Sequence, residues 1–200
     1  MYPIMLDLHL KKVVIIGAGK IAYRKICSLL ESGANISVVS PDVITDIQQL
    51  SDEGKLAILK KEAEPCDYAD AFLVIAATNN KEVNKQIAAN VTSQQLVNVV
   101  DDATLGNFHI PTKLTRGKLT IAVSTSGASP MLAKKIRDEL SLQYDHQYEE
   151  YLDFLYECRT LIKNSQLDPT SKSQLLKQLV VTDYKESPQK REAFIKNLPS

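Results

Sequence analysis

Two sets of residues in this 200-residue chain have the types and spacing to do chemistry. The first is Gly17-Ala18-Gly19 with Ala22 three positions on, a Gly-x-Gly-x-x-Ala pattern placed directly after the β-branched run Val13–Ile16. Gly17 permits a tight turn, Gly19 lets the backbone approach a pyrophosphate closely, and Ala22 is small enough for a helix to pack against a strand. Strand, glycine turn and helix in that order put a dinucleotide's phosphates on a helix N-terminus. The second is Asp101, a carboxylate that ends the buried-strand pattern Leu96–Val100 and is followed by Asp102. A strand alternates its faces, so one of the two aspartates should look into a crevice. A carboxylate held rigidly there and partly desolvated serves as a general base; an ordinary turn cap is the equally available alternative.

Other candidates follow from position. Asp42 lies 25 residues after Gly17, just past Asn35–Val39, where an acidic residue meets the adenosine ribose hydroxyls and favours NAD over NADP. Its alternative is to cap a helix starting near Val43. Thr78-Asn79-Asn80 follows the apolar run Ala71–Ala77 and either lines a cofactor crevice or caps the next helix. Ser124-Thr125-Ser126-Gly127-Ala128-Ser129 stands before Pro130 and a helical pattern. Its hydroxyls and backbone donors suit a carboxylate or phosphate, or simply make an N-cap loop. Lys113, Arg116, Lys118, Lys134, Lys135 and Arg137 gather nearby, as a basic rim for a polyanion or as scattered solvated charges.

These residues need elements to hold them. Tyr2–Leu8 alternates and reads as a short edge segment feeding the first strand. Strands are predicted at Val13–Ile16, Asn35–Val39, Leu56–Leu59, Ala71–Ala77 and Leu96–Val100, with helices after the glycine turn, at Val43–Leu50 and at Lys81–Val91. Alternation of this kind predicts a doubly wound, mostly parallel α/β sheet, whose ligands sit beyond the strands' carboxyl ends. Leu119–Val123 is one further strand. Met131–Lys163 contains neither glycine nor proline and is longer than a typical helix, so a break is expected near Tyr144–His146. More helices fit Ser171–Val181 and Pro188–Asn197. The stripe of Tyr144, Tyr148, Tyr151, Leu152, Leu155 and Ile162 has few strands to cover it and is expected to pack on a second copy of the chain.

Composition removes several function classes. Lys+Arg and Asp+Glu both total 24, which leaves no global basic footprint for nucleic acid. No apolar run reaches the length of a membrane span, and the N-terminus lacks a signal-peptide layout, so a cytoplasmic protein is expected. Cys27, Cys66 and Cys158 are far apart and read as free thiols; His9, His109 and His146 have no metal-ligand spacing, and no metal site is expected. No serine–histidine arrangement or P-loop lysine supports a hydrolase or nucleoside triphosphatase.

Taken together, VVIIGAGKIAYRK at 13–25, VVSP at 38–41, LVIAATNN at 73–80, Asn84, LVNVVDD at 96–102, Phe108 with Pro111, and IAVSTSGASPMLAKKIR at 121–137 resemble the precorrin-2 dehydrogenase/sirohydrochlorin ferrochelatase family of sirohaem biosynthesis. The resemblance covers about the first two thirds of the chain. It implies NAD-dependent oxidation of precorrin-2 to sirohydrochlorin, insertion of ferrous iron in some members, and a homodimer. It further implies a Rossmann-type NAD-binding domain at 1–112, a dimerisation segment at 113–145 and a C-terminal helical domain at 146–200. By the same resemblance Asp101 is the general acid/base. Gly17, Gly19, Lys20 and Ile21 form the dinucleotide turn, and Pro41 and Asp42 the adenosine-ribose end. Ser124 and Thr125 flank the tetrapyrrole pocket, with threonine where some members have a second serine. A non-catalytic NAD-sensing module shares the glycine turn but gives no reason for VNVVDD plus STSG-x-SP; a dimerisation protein with a vestigial nucleotide fold would show no NAD affinity.

Overall fold

Val13–Ile16 and Leu73–Ala76 have apolar side chains on both faces, and the fold buries both faces. In the computed structural model, which describes residues 1–180 and 182–198, the chain divides into two units, Met1–Ile110 and a second beginning at Pro111. The first unit holds five parallel strands: β1 (Lys12–Ile16), β2 (Asn35–Val39), β3 (Ala57–Leu59), β4 (Leu73–Ala76) and β5 (Leu96–Val99), in the order β3-β2-β1-β4-β5. Between them run α1 (Lys20–Leu30), α2 (Thr45–Asp52), the single turn α3 (Pro65–Tyr68) and α4 (Lys81–Asn90).

Alternation along the strands divides the core in two. Val13 and Ile15 of β1, with Leu73 and Ile75 of β4, meet Ala22, Ile26 and Leu29 of α1 and Ile47 of α2. Val14 and Ile16, with Val74 and Ala76, meet Tyr68 of α3 and Ile87 of α4. Covering each such aliphatic side chain contributes about 1.5–3 kcal/mol relative to leaving it in water, so β1 and β4 are the most firmly held strands. They are also where the chain changes direction across the sheet: β1 leads outward to β2 and β3, and β4 to β5. A ligand crevice belongs at this switch point, beyond the strands' carboxyl ends.

The sequence expectation of a parallel α/β sheet is met. Tyr2–Leu8, however, forms no strand. β1 is central rather than an edge, and only Leu8 of this segment is buried. The helix expected from Val43 starts at Thr45, with Ile44 as its N-cap residue.

The second unit opens with an antiparallel hairpin, β6 (Thr112–Arg116) and β7 (Leu119–Val123), turning at Gly117 with φ +53°. The sequence reading found β7 but not its partner. Then come α5 (Pro130–Gln143), α6 (Gln147–Asn164), α7 (Pro169–Gln178), α8 (Thr182–Glu186) and α9 (Pro188–Lys196). α5 and α6 part at Tyr144–His146, as the length of the stretch from Met131 to Lys163 suggests. The helix expected at Ser171–Val181 corresponds to α7, and Val181 lies outside the described residues.

The chain itself covers part of the aromatic stripe: Tyr151 and Ile162 are buried, while Tyr144, Tyr148, Leu152 and Leu155 are half-buried. Tyr151, Phe154, Cys158 and Ile162 of α6 form a core with Leu179, and Tyr184 and Phe194 pack against it. The Tyr151 hydroxyl donates to the Leu179 carbonyl at 2.7 Å. The later helices fold back over α6.

Candidate active site

The glycine turn joins β1 to α1 at the switch point. Gly17 has φ +99°, a left-handed conformation that only glycine adopts without strain. Its N–H donates to the Val39 carbonyl of β2 at 2.9 Å, and its Cα faces the end of β4. Gly19 is different. It has extended backbone (φ −92°, ψ −173°), caps α1 with no side-chain bond, and has open space where a Cβ would stand. The first N–H groups of α1 are therefore uncapped above an open approach, the arrangement that accepts a phosphate. Ala22 is fully buried against the sheet.

A cleft of about 730 Å³ lies over this turn. Gly17, Gly19, Pro41, Asp42 and Thr78 line it, five of the seven residues the sequence reading gave to the cofactor. Lys20 and Ile21 are not among its walls. They form the first turn of α1 with exposed side chains, so what they offer a phosphate is backbone N–H. Asp42 does not cap α2, which begins three residues later. Its carbonyl accepts from the Ser40 hydroxyl at 2.7 Å, and its carboxylate is left exposed at the rim. Glu62, beyond β3, lines the same cleft and was not found from sequence. Two carboxylates thus stand on the wall of this cleft.

Thr78 does not cap α4 either; Asn80 does, accepting from the N–H groups of Glu82 and Val83 at 3.0 and 3.4 Å. Thr78 is tied instead to Asn84, which is 1 % exposed on the inner face of α4. The Asn84 oxygen accepts from the Thr78 N–H (3.1 Å) and hydroxyl (2.7 Å), and its nitrogen donates to the Thr78 carbonyl (3.1 Å). The same nitrogen donates to Asp101 Oδ1 at 2.8 Å.

Asp101 and Asp102 point different ways. Asp101 turns to Asn84. Asp102 accepts from the Thr104 hydroxyl (2.6 Å) and N–H (2.9 Å), capping the 3-10 turn Ala103–Leu105. Those Thr104 bonds, the hydroxyl's first, hold the Asp102 carboxyl below its ordinary range. Asp101 is exposed, so unit 1 alone does not supply the desolvation the sequence reading expected. The chain after Asp102 doubles back along β5. Asn107 accepts from the Val97 N–H and donates to the Gln95 carbonyl, at 2.9 and 2.7 Å, which holds the Asp101 turn in place.

In the second unit, Ser129 caps α5 by accepting from the Leu132 N–H at 3.1 Å. The Thr125 hydroxyl accepts from the Ser129 N–H (3.1 Å) and donates to the Ser129 carbonyl (3.0 Å), so its one proton is spent on closing the loop, not presented to a ligand. Serine in its place would make the same bonds. Ser124 accepts from the Ser126 N–H at 3.1 Å and keeps its own proton; Ser126 is exposed with φ +51°. Much of the expected basic rim is spoken for. Lys118 pairs with Asp153, Lys135 with Glu139 at 3.8 Å and Arg137 with Asp138 at 2.7 Å, while Arg116 donates to the Tyr144 and Thr115 carbonyls.

Among the described residues, the group with ligand atoms close enough to hold a metal is Glu64, Cys66 and Asp67. The Lys61 ammonium already bridges its two carboxylates, at 2.7 and 3.2 Å.

Residues 4–112 match an NAD(P)-binding family model, 116–141 the model of the central part of sirohaem biosynthesis proteins, and 148–194 the SirC C-terminal domain. The chain is 38 % identical over 198 residues to a precorrin-2 dehydrogenase of Priestia megaterium, covering 99 % of this chain and 98 % of that protein. It is 42 % identical over 159 residues to a precorrin-2 dehydrogenase of Bacillus subtilis, covering 80 % and 98 %. A siroheme synthase of Actinobacillus pleuropneumoniae serotype 3 is 35 % identical over 162 residues, which are 80 % of this chain and 33 % of that larger protein. The solved structure of SirC, a precorrin-2 dehydrogenase, matches with a TM-score of 0.87 and 38 % identity, covering 98 % of both chains.

Proposed function

The chain belongs to the family of precorrin-2 dehydrogenases and sirohaem synthases, and from that premise we propose how its own residues carry out NAD-dependent oxidation of precorrin-2 to sirohydrochlorin. The uncapped N–H groups at the start of α1 hold the cofactor's pyrophosphate, with Gly19 clearing the approach. Asp42 at the cleft rim accepts from the adenosine ribose hydroxyls, and Thr78 borders the nicotinamide half. When bound, NAD+ supplies the hydride acceptor. Asp101 takes the proton released from the tetrapyrrole as the hydride leaves. Ser124 and Ser126 offer hydroxyls to the substrate's carboxylates, whereas Thr125 shapes their loop.

The observation that carries the assignment of Asp101 is its membership in the hydrogen-bond network of Thr78, a wall of the cofactor cleft. Asp102, one residue on, has no such link and is spent on a cap. The test is Asp101→Asn, assayed with precorrin-2 and NAD+ at the NADH absorbance band. Turnover should be lost with NAD+ binding intact; full turnover would remove Asp101 from the reaction. Adding Fe2+ or Co2+ to the wild-type assay and following the tetrapyrrole spectrum asks whether the chain also inserts metal, with ferrous iron as co-substrate.

The same reading makes the protein a homodimer through the segment from β6 to α5. Met131, Leu132 and Leu142 of α5 are exposed and apolar, which supports a covered surface there. Sedimentation of the wild type against Leu142→Glu tests it. Three free cysteines fit a reducing compartment, and we place the protein in the cytoplasm. No described helix is long and apolar enough to cross a membrane.

A further inference from the structure

The geometry points to Asn84 as a positioning residue for Asp101, an inference that rests on the assignment of Asp101 above. Asn84 occupies an inward position of α4, one turn before Ile87, where an aliphatic residue would fill the space. A primary amide buried there must have partners. It has four bonds, and they fix which way the amide faces. The Thr78 N–H requires an acceptor, whereas the Thr78 carbonyl and the Asp101 carboxylate require donors.

Three of these bonds clamp the turn after β4. The fourth, to Asp101 Oδ1, does nothing for that turn. Its effect is on Asp101, whose side chain is otherwise exposed at the end of β5. With Oδ1 held from the buried side, Oδ2 is the oxygen left to take a proton, in a fixed direction. Fixing a reacting group before reaction lowers the entropy still to be lost at the transition state. Because Thr78 lines the cofactor cleft, the same amide also refers the carboxylate's position to the cofactor's wall.

Two substitutions separate this role from a structural one. Asn84→Ala removes all four bonds. Asn84→Asp keeps an acceptor for Thr78 but sets a carboxylate oxygen against Asp101 in place of the donor. With both substrates saturating, kcat should fall about 10–100-fold in each, while in Asn84→Asp, which keeps the acceptor for Thr78, the NAD+ dissociation constant stays within about threefold of wild type. A kcat within about threefold of wild type, or a loss that saturating NAD+ restores, would show that Asn84 serves only the Thr78 turn. Should neither variant fold, side-chain amide NMR of Asp101→Ala decides the point. The Asn84 side-chain amide protons must shift when the carboxylate is removed, and unchanged resonances refute the contact. Asp101→Asn runs beside these variants. If it is active, the reading beneath this inference fails; if it is inactive while the Asn84 variants turn over normally, only the inference fails.

Discussion

A Cβ built on Gly17 would stand 2.5 Å from the carbonyl oxygen of Ala77 and 2.7 Å from its carbon. The glycine turn is thus pressed against the end of β4, and this contact sets the floor of the cofactor cleft. Backbone cannot retreat as the tip of a side chain can, and φ +99° adds its own penalty for any other residue. Gly17→Ala should cost on the order of 3 kcal/mol of stability and abolish NAD+ binding together. Gly19→Ala should behave in the opposite way. Its backbone is extended and its Cβ would enter open space, so the melting temperature should hardly change. The methyl would intrude where the pyrophosphate sits, and NAD+ affinity should fall about tenfold or more. Calorimetric melting and NAD+ titration of both variants check the contrast; equal losses of stability would contradict it.

The carboxylates at the cleft rim should set the choice between NAD+ and NADP+. Asp42 and Glu62 both line the cleft, and on the proposed reading they stand on its adenosine side. Asp42→Ala combined with Glu62→Gln should raise the ratio of kcat/KM for NADP+ over NAD+ by about tenfold, from the Coulomb repulsion removed in a wet site. Steady-state rates with each cofactor measure it. An unchanged ratio would mean that neither carboxylate faces the 2′ position.

Asp102 offers a control next to Asp101. Its carboxyl is held below the ordinary value of 3.8 by the Thr104 hydroxyl and N–H. A carboxylate with a depressed folded value adds stability that is present above its unfolded value and lost as the pH falls through the folded one. Wild-type stability should therefore drop on acidification below about pH 4, less steeply in Asp102→Asn. At neutral pH the variant should turn over precorrin-2 as the wild type does. Urea midpoints across pH 2–7, beside the dehydrogenase assay, separate the two aspartates.

How far the sequence could be read depends on whether a residue's role is local. The unbroken apolar runs of β1 and β4 disclose strands covered on both faces, and the Gly-x-Gly-x-x-Ala spacing marks the turn between β1 and α1. β6 was not legible because TKLTR turns a single apolar side chain, Leu114, fully inward and otherwise reads as a polar loop. Asn84 was visible only as part of a resemblance. Its partners lie six residues before it and seventeen after, and nothing in helical periodicity tells a satisfied buried amide from an interruption of the apolar face. Glu62 was missed because parallel pairing of β3 with β2 is what carries it to the cleft. The loop-closing role of Thr125 needs the fold of its turn, since the same residues in extended backbone would leave the hydroxyl free.

Cys158 tests the packing of the second unit. Its side chain is fully buried among Tyr151, Phe154 and Ile162, and burial, with Glu157 adding to it, pushes the thiol from 9.0 up to about 11. Burial disfavours the thiolate, the form that reacts with disulfide reagents. At pH 8, Ellman's reagent should therefore titrate the exposed Cys66 quickly and Cys158 only after denaturation. The raised value also fixes a sign for stability. Below pH 9.0 the thiol is protonated in both folded and unfolded chains and favours neither. Between 9.0 and about 11 the unfolded chain loses the proton and the folded one keeps it, so stability falls as the pH rises through this window. Cys158→Ala should be less stable at neutral pH, because it leaves a small cavity, yet lose less of its remaining stability between pH 9 and 11. Chemical denaturation of both proteins at pH 7, 9 and 10.5 measures the two effects. A parallel alkaline loss in the variant would show that some group other than Cys158 titrates there.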